Sequence, residues 1–424
     1  MHVEDGMREM GQEQLHNISP QAIQKNMLWN VAGSVGFIGA QWMMTILIVH
    51  LAGYTEAGYL SLGLSLTNLF TNIAYFCIRN YQVSDGAGKY SADLYVTHRV
   101  VAAFVAFTLY TLFVLANGYS LYVTAFLLLF MVYRLHEPVV DVFHGIDQKA
   151  WRLDLAGQSF LLRGLFTLAA FVVVEKLTGN LVLTTLVMAG IAYGVIWLFD
   201  IPGARRCTAF SLQFDRERLL SLTRECFPLF LYALCLNAVV PIPRYFLEKL
   251  SGSEVLGFYS SVAIPASVVQ LLSSYVFTTF TALFADYAAR KAKKPFMALF
   301  LKLGAAVILL IALALGGSAL LGEWALVLLF TESIRAYAYL LMPTILCCGL
   351  IALIWFVGTV LTVLRDRMGL LFGAAAGMAV SAVSSFPCIR TWGVDGVNVA
   401  LFLSSVVTLG IYLVRFGQAV KKWE

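Results

Sequence analysis

Twelve apolar stretches of roughly 18–25 residues follow one another along this 424-residue chain, and they leave little choice of fold. They lie near 27–51, 59–78, 99–116, 121–144, 156–174 and 182–201, then near 223–245, 257–280, 303–322, 337–360, 368–386 and 396–414. A helix rises ~1.5 Å per residue, so each stretch is long enough to cross ~30 Å of hydrocarbon. Inside a bilayer every backbone N–H and C=O must be satisfied locally, which leaves helices or a closed barrel. Continuous apolar runs, with no period-two alternation, select helices. Composition points the same way: 60% of residues are hydrophobic and 12% charged. A soluble chain of this length has no means of burying so much apolar surface. The expected fold is an all-α polytopic membrane protein with about twelve transmembrane helices.

The basic residues between the stretches set an orientation. With the N-terminus inside, the cytoplasmic segments hold 22 Lys and Arg, including those of ARKAKKP at 289–295. The outer segments hold five: Lys176, Arg244, Lys249, Arg335 and Arg390. Arg134 and Arg163 fall within stretches. Such an asymmetry predicts both termini in the cytoplasm. Residues 1–26 are polar, lack the form of a secretory signal, and predict an interfacial helix after Ser19-Pro20. The expected organisation is this N-terminal segment, an N-lobe over 27–201, a cytoplasmic loop over 202–222, a C-lobe over 223–414 and a tail over 415–424. Connections are short, so any activity is expected inside the membrane. The seven cysteines show no C-x-x-C spacing and read as small hydrophobes, not as metal or disulfide sites. No metal site, resident cofactor or nucleic-acid partner is expected.

An internal repeat organises the two halves. LAGYTEAGYLS at 51–61 and LSGSEVLGFYS at 250–260 align Leu51 with Leu250, Gly53 with Gly252, Gly58 with Gly257 and Tyr59 with Phe258, at a constant offset of 199. Both copies join the first and second stretches of a six-stretch half, and both halves start inside. Parallel repeats of this kind predict two six-helix lobes around a central cavity, an architecture of transporters.

Charged side chains interrupt the fourth stretch at YRLHEPVVDVFHGID, residues 133–147. On a helical wheel Arg134, Glu137, Asp141 and His144 fall within about 80°, whereas His136 points elsewhere. Pro138 sits inside the stripe and removes a backbone donor. Arg134 and Arg163 lie ~15 Å and ~12 Å from the cytoplasmic ends of their helices. Ionisable groups at such depth are costly and mark functional paths by default. Two readings stand: internal pairing, with Arg163 meeting Glu137 or Asp141, and a polar lining that receives substrate. Arg is suited to phosphate because it stays charged and binds two oxygens at once. Glu137 and Asp141 are also candidates for a coupling proton or sodium ion. Arg79 reads either as a cation snorkelling to headgroups or as a gate residue beside Asn80, Gln82 and Asp85. Asn30, Ser34 and Gln41 share nearly one face of the first stretch, for interhelical bonds or glycan contact.

Several pieces, taken in order, resemble the oligosaccharide-lipid flippases of the Wzx type, in the polysaccharide-transport branch of the MOP superfamily. They are KNMLWNVAGSVGFIGAQWMMTILIVHLAGYTEAGYLSLGLSLTNLFTNIAY, YFCIRNYQVSDGAGKY, DVFHGIDQKAWRLDLAGQSFLLRG and, more faintly, VPIPRYFLEKLSGSEVLGFYSS. The likeness covers most of the first half and part of the second. It implies translocation of an undecaprenyl-pyrophosphate-linked sugar repeat unit from the inner to the outer leaflet of a bacterial cytoplasmic membrane, for O-antigen or capsule synthesis. Membrane lipids, a polysaccharide polymerase and other assembly proteins are the implied partners. Several members carry fourteen spans where this chain has twelve stretches. Where relatives show Asn followed by Pro-Lys-Tyr, this chain reads Pro241-Ile242-Pro243-Arg244-Tyr245. The positive charge is kept at Arg244, a candidate pyrophosphate contact, but the Asn is absent.

The closest rivals are a flippase of lipid-linked peptidoglycan precursor and a cation-coupled multidrug exporter of the same superfamily. Intramembrane arginines repel cationic drugs and disfavour the exporter. A membrane-embedded glycosyl- or acyltransferase or a polymerase is a distant alternative. No D-x-D pair and no sizeable outer loop is present to carry such chemistry, so the chain is read as a transporter and not as an enzyme.

Overall fold

The computed structural model describes residues 20–85, 88–421 and 423, which are helical throughout apart from short connections. Most of the expected N-terminal segment lies outside the described residues. In chain order the helices are α1 (Pro20–Tyr75), α2 (Ile78–Ser84), α3 (Ala92–Ala116), α4 (Leu121–Lys149), α5 (Leu153–Thr178) and α6 (Leu181–Val195). A π-helical turn, Ile196–Asp200, leads into α7 (Ile201–Cys207). Then come α8 (Arg216–Ala238), α9 (Pro241–Ser251), α10 (Ser253–Thr278), α11 (Thr281–Ala289) and α12 (Lys293–Leu329). After a 3₁₀ segment, Glu332–Leu340, the chain ends in α13 (Leu341–Val363), α14 (Arg367–Trp392) and α15 (Asp395–Lys421).

Ten candidate spans among the described residues are long and apolar enough to cross a membrane. The first, Gln24–Ser84, is 61 residues long and holds two of the apolar stretches, one on each side of Gly53. Local chemistry sets several helix starts. Ser91 and Ser120 accept from the amides of Leu94 and Val123, and Asn180 accepts from those of Val182 and Leu183. These side chains satisfy amides that have no partner in the first helical turn.

The residues group into two compact units, one of residues 1–47 with 67–230 and the other of 48–66 with 231–424. In the first unit, Ile78, Leu94, Val140, Phe143, Ile146, Ile196 and Leu222 form a buried cluster where α2, α3, α4, the π turn and α8 meet. In the second, α12 buries Phe296, Leu303, Val307, Ile311, Gly322 and Leu326. Those positions make one stripe at helical spacing. Leu301, Ile308, Leu313 and Leu320 on the remaining surface are exposed, Leu320 by 85%. A helix apolar on both its packed and its open faces is suited to hydrocarbon, not water.

The repeated turns pack on one another inside the second unit. Gly53 breaks α1 with φ +87, ψ −174, and Gly252 separates α9 from α10 with φ +87, ψ +169. Both are left-handed values that favour glycine. A Cβ built on Gly58 would fall 1.8 Å from the Ser253 carbonyl oxygen, and one built on Gly257 would fall 2.1 Å from that of Tyr54. Ser253 is Tyr54 plus 199 and Gly257 is Gly58 plus 199, so exchanging the two copies maps this contact onto itself. Ser61 and Ser260, again 199 apart, share a buried hydrogen bond between their hydroxyls. Small residues let two helix backbones approach this closely, and van der Waals contact then holds them. Gly58→Ala or Gly257→Ala is expected to cost about 1–3 kcal/mol through overpacking. Gly190→Ala, where a Cβ meets nothing within 4 Å, is expected to be nearly neutral. Thermal unfolding in detergent, with the two classes compared, checks both outcomes.

Candidate functional site

The interior of the first unit carries a charged network assembled from four helices. Its frame is the end of α1. That helix stops at Tyr75, and Phe76 and Cys77 take left-handed backbone conformations, φ +44 and +53, before α2 begins. Carbonyls in the last turn of a helix have no partner within it. Arg99 on α3 supplies one: its Nη1 donates to the carbonyls of Ala74 and Tyr75 at 2.8 and 2.7 Å. Its Nη2 donates to Asp141 Oδ2 at 2.8 Å, and the Arg99 side chain is 1% exposed. The turn into α2 brings Arg79 to the other oxygen of the same carboxylate, Oδ1, at 3.1 Å, with its Nη2 donating to Gln148.

One helical turn away on α4, Arg134 bonds Glu137 and donates from Nη2 to Asn68 Oδ1 at 2.8 Å. Gln41 donates to Glu137 Oε1 at 3.0 Å, and the Tyr75 hydroxyl lies 3.5 Å from Oε2. Pro138 deprives the Arg134 carbonyl of its helical donor. The network therefore holds three arginines, Arg79, Arg99 and Arg134, against two carboxylates, Glu137 and Asp141. Its balance is one positive charge.

The remaining sequence candidates are placed elsewhere. Arg163 makes no hydrogen bond to Glu137 or Asp141, the pairing that one of the two readings of the sequence contained. It is fully buried, donates from Nε to Ser159 at 3.2 Å, and stacks against the rings of Phe37 and Phe160. His144 sits at one edge of the α4 stripe and faces Asp200 of the π turn, Nε2 to Oδ1 3.4 Å. His136 packs beside Tyr133 and Phe37. Asn30 and Ser34 are half-buried on α1, outside the network. The turn holding Asn30 lies against α5, where a Cβ on Gly157 would fall 2.2 Å from the Trp29 carbonyl oxygen. Arg244 belongs to the second unit: it is half-buried over the Tyr259 ring, and its Nε has no partner among the described residues.

The third apolar stretch begins at residue 99, which puts Arg99 at its cytoplasmic edge. The helix starts seven residues earlier, at Ala92, after the Ser91 cap, and this carries Arg99 two turns inside. The Ser-Ala-Asp sequence at 91–93 is the signal that marks this start.

At one end of the unit Asp85 gathers the loop after α2. Burial works to raise its carboxyl. The amides of Lys89 and Tyr90, the Tyr95 hydroxyl and the Lys149 ammonium outweigh burial and hold it below the usual carboxylate range. Beside it opens a cavity of about 580 Å³ lined by Gln82, Tyr90, Tyr95, Lys149 and Trp151 among others.

No family profile and no curated protein matches the sequence. Solved structures do. The lipid II flippase MurJ, in an inward closed conformation, superposes with a TM-score of 0.74 at 10% identity, over 94% of this chain and 90% of that one. The eukaryotic MATE transporter AtDTX14 gives 0.61 at 10% identity over 95% and 99%. The MATE transporter VcmN of Vibrio cholerae gives 0.59 at 12% identity over 95% and 97%. At such identities the likeness is one of fold, shared with these flippase and MATE transporter structures.

The network makes a stability prediction. Asp141→Asn leaves Arg99 buried without its counter-charge and is expected to cost roughly 3–5 kcal/mol. Replacing both residues by Leu is expected to recover only part of the loss: it removes the unpaired Arg99 charge, but the Ala74 and Tyr75 carbonyls lose their donor and Arg79 its carboxylate. Melting temperatures of the two variants in the same detergent test the difference.

Proposed function

We propose that the chain is a flippase for an undecaprenyl-pyrophosphate-linked oligosaccharide, moving it from the inner to the outer leaflet of a bacterial cytoplasmic membrane by alternating access. The observation that carries the reading is the arginine-rich network of the first unit, three guanidinium groups against two carboxylates. A pyrophosphate leaving water needs fixed positive charge and several donors, since an unpaired anion in hydrocarbon is prohibitive. Arg134 is the residue assigned to the phosphate. It stands on the polar stripe of α4, bonded to Glu137 and Asn68, and its Nε has no hydrogen-bond partner among the described residues. A cation-selecting exporter is disfavoured by the same charge balance. Twelve spans and cytoplasmic termini belong to this proposal, as does the loading of substrate from the inner leaflet.

A second reading has its own support. The likeness to a structure described as a lipid II flippase, at a TM-score of 0.74, favours a peptidoglycan precursor as the lipid-linked cargo. The two cargoes share a polyprenyl pyrophosphate and differ in the sugar. Deleting the gene separates them. Loss of surface polysaccharide, with lipid-linked repeat units retained on the inner leaflet, supports the first reading. Arrested growth with accumulated peptidoglycan precursor supports the second. Normal surface polymer and normal growth, in a strain without a redundant exporter, sink both.

At matched membrane abundance, Arg134→Ala is expected to lower transport at least about tenfold, which corresponds to ~1.4 kcal/mol. Arg134→Lys is expected to fall between Ala and wild type, because a point charge replaces a two-pronged donor. Wild-type transport by both variants removes the assignment of Arg134.

A further inference from the structure

Hydrogen-bond accounting separates the buried carboxylates of the first unit into two classes. Glu137 and Asp141 are occupied: Glu137 by Arg134 and Gln41, Asp141 on both oxygens by Arg79 and Arg99. Asp147 and Asp200 are not. Asp147 is 1% exposed and Asp200 3%, yet Asp147 Oδ1 and Asp200 Oδ2 have no hydrogen-bond partner among the described residues. His144, completely buried and three residues before Asp147 on α4, has no hydrogen bond at Nδ1 or Nε2, and its contact with Asp200 is 3.4 Å. That is long for a made bond, which lies at ~2.7–3.2 Å. Arg163, also completely buried, has both Nη atoms unbonded, and Asp200 is the carboxylate that acts on it most strongly.

Neither aspartate has an arginine or lysine bonded to it among the described residues: Arg163 leaves both Nη atoms unbonded, and Arg79 is engaged by Asp141 and Gln148. Burying a carboxylate without such partners is costly. Two carboxylates that share a buried site and repel one another relieve that cost when one of them binds a proton. Asp200 faces His144, and Asp147 stands three residues after His144 on α4. Asp200 also sits in the π-helical turn Ile196–Asp200, a distortion that recurs at functional positions.

We propose that Asp147, His144 and Asp200 form a buried proton-binding site, distinct from the arginine network. One proton, taken from water, resides on a carboxyl oxygen of the Asp147–Asp200 pair. His144 stays neutral, with one ring nitrogen free to accept and the other to donate. The charged groups facing the site are Arg163 of α5, Arg79 of α2, the Arg152–Asp154 pair at the start of α5, and the two aspartates. The site gives this transporter fold a charge that can be loaded and unloaded, on carboxyl oxygens that have no hydrogen-bond partner among the described residues.

Infrared difference spectra of the full-length protein in lipid nanodiscs, recorded across about pH 5–8, test the assignment. The expected result is a protonated carboxyl C=O band that titrates in this window, disappears in Asp147→Asn or Asp200→Asn, and persists in the surface variant Asp286→Asn. His144→Gln keeps both carboxyls and is expected to shift the midpoint of the band. It therefore serves if an aspartate variant fails to fold. Absence of the band in wild type overturns the proposal, as does a band that survives both Asp→Asn changes or a midpoint indifferent to His144→Gln. The spectra do not depend on which cargo is moved, so this result and the flippase reading stand or fall separately.

Discussion

A guanidinium group buried away from water needs both a counter-charge and several acceptors, and Arg99 meets that demand in a way that orders the surrounding helices. Its two contacts to the Ala74 and Tyr75 carbonyls finish α1, and its contact to Asp141 ties that helix end to α4. Because α1 is stopped there, the chain turns through Phe76 and Cys77 and presents Arg79 to the same carboxylate. One side chain thus acts as helix cap and ion-pair member, and it decides which face of α4 is polar. Arginine does this where lysine cannot, since its planar fork reaches three oxygens in different directions.

The first unit also shows two ways of keeping ionisable groups in a low-dielectric interior. Around Asp141 and Glu137 every charge has an opposite partner and directional bonds, the condition under which buried ion pairs persist. Around Arg163 the solution is aromatic: the guanidinium lies between the rings of Phe37 and Phe160, 5.5 and 5.2 Å from their centres. Ring faces offer negative potential without hydrogen-bond acceptors. This leaves the Arg163 charge able to act at longer range on Asp200 and Glu137.

The sequence made some of this legible and concealed the rest for identifiable reasons. Arg134, Glu137 and Asp141 share one helix, so the helical period alone places them on one arc. Their partners on other helices sit 42 to 96 positions away, and no local pattern records which of them arrives. Of the polar set Asn30, Ser34 and Gln41, spaced 4 and 7 apart and so nearly on one face, only Gln41 reaches Glu137, because helix crossing brings one level of α1 to α4. His144 shows the limit of the wheel: at the edge of an 80° arc, the neighbouring element decides its partner, and here that is the π turn. A π turn leaves no period of its own in an apolar run, and so no sequence pattern marks Asp200. The glycine repeat was readable because φ +87 and backbone contact both impose residue type directly.

The self-mapping contact of the repeated turns has an evolutionary side. A patch in which residue i meets j while the equivalent of j meets the equivalent of i is the isologous geometry of a two-fold dimer. A polypeptide of half this length could have made the Gly58–Gly257 approach and the Ser61–Ser260 bond with an identical twin, using a single surface. Joining the two copies in one chain preserves that surface and releases every other position from serving both halves at once.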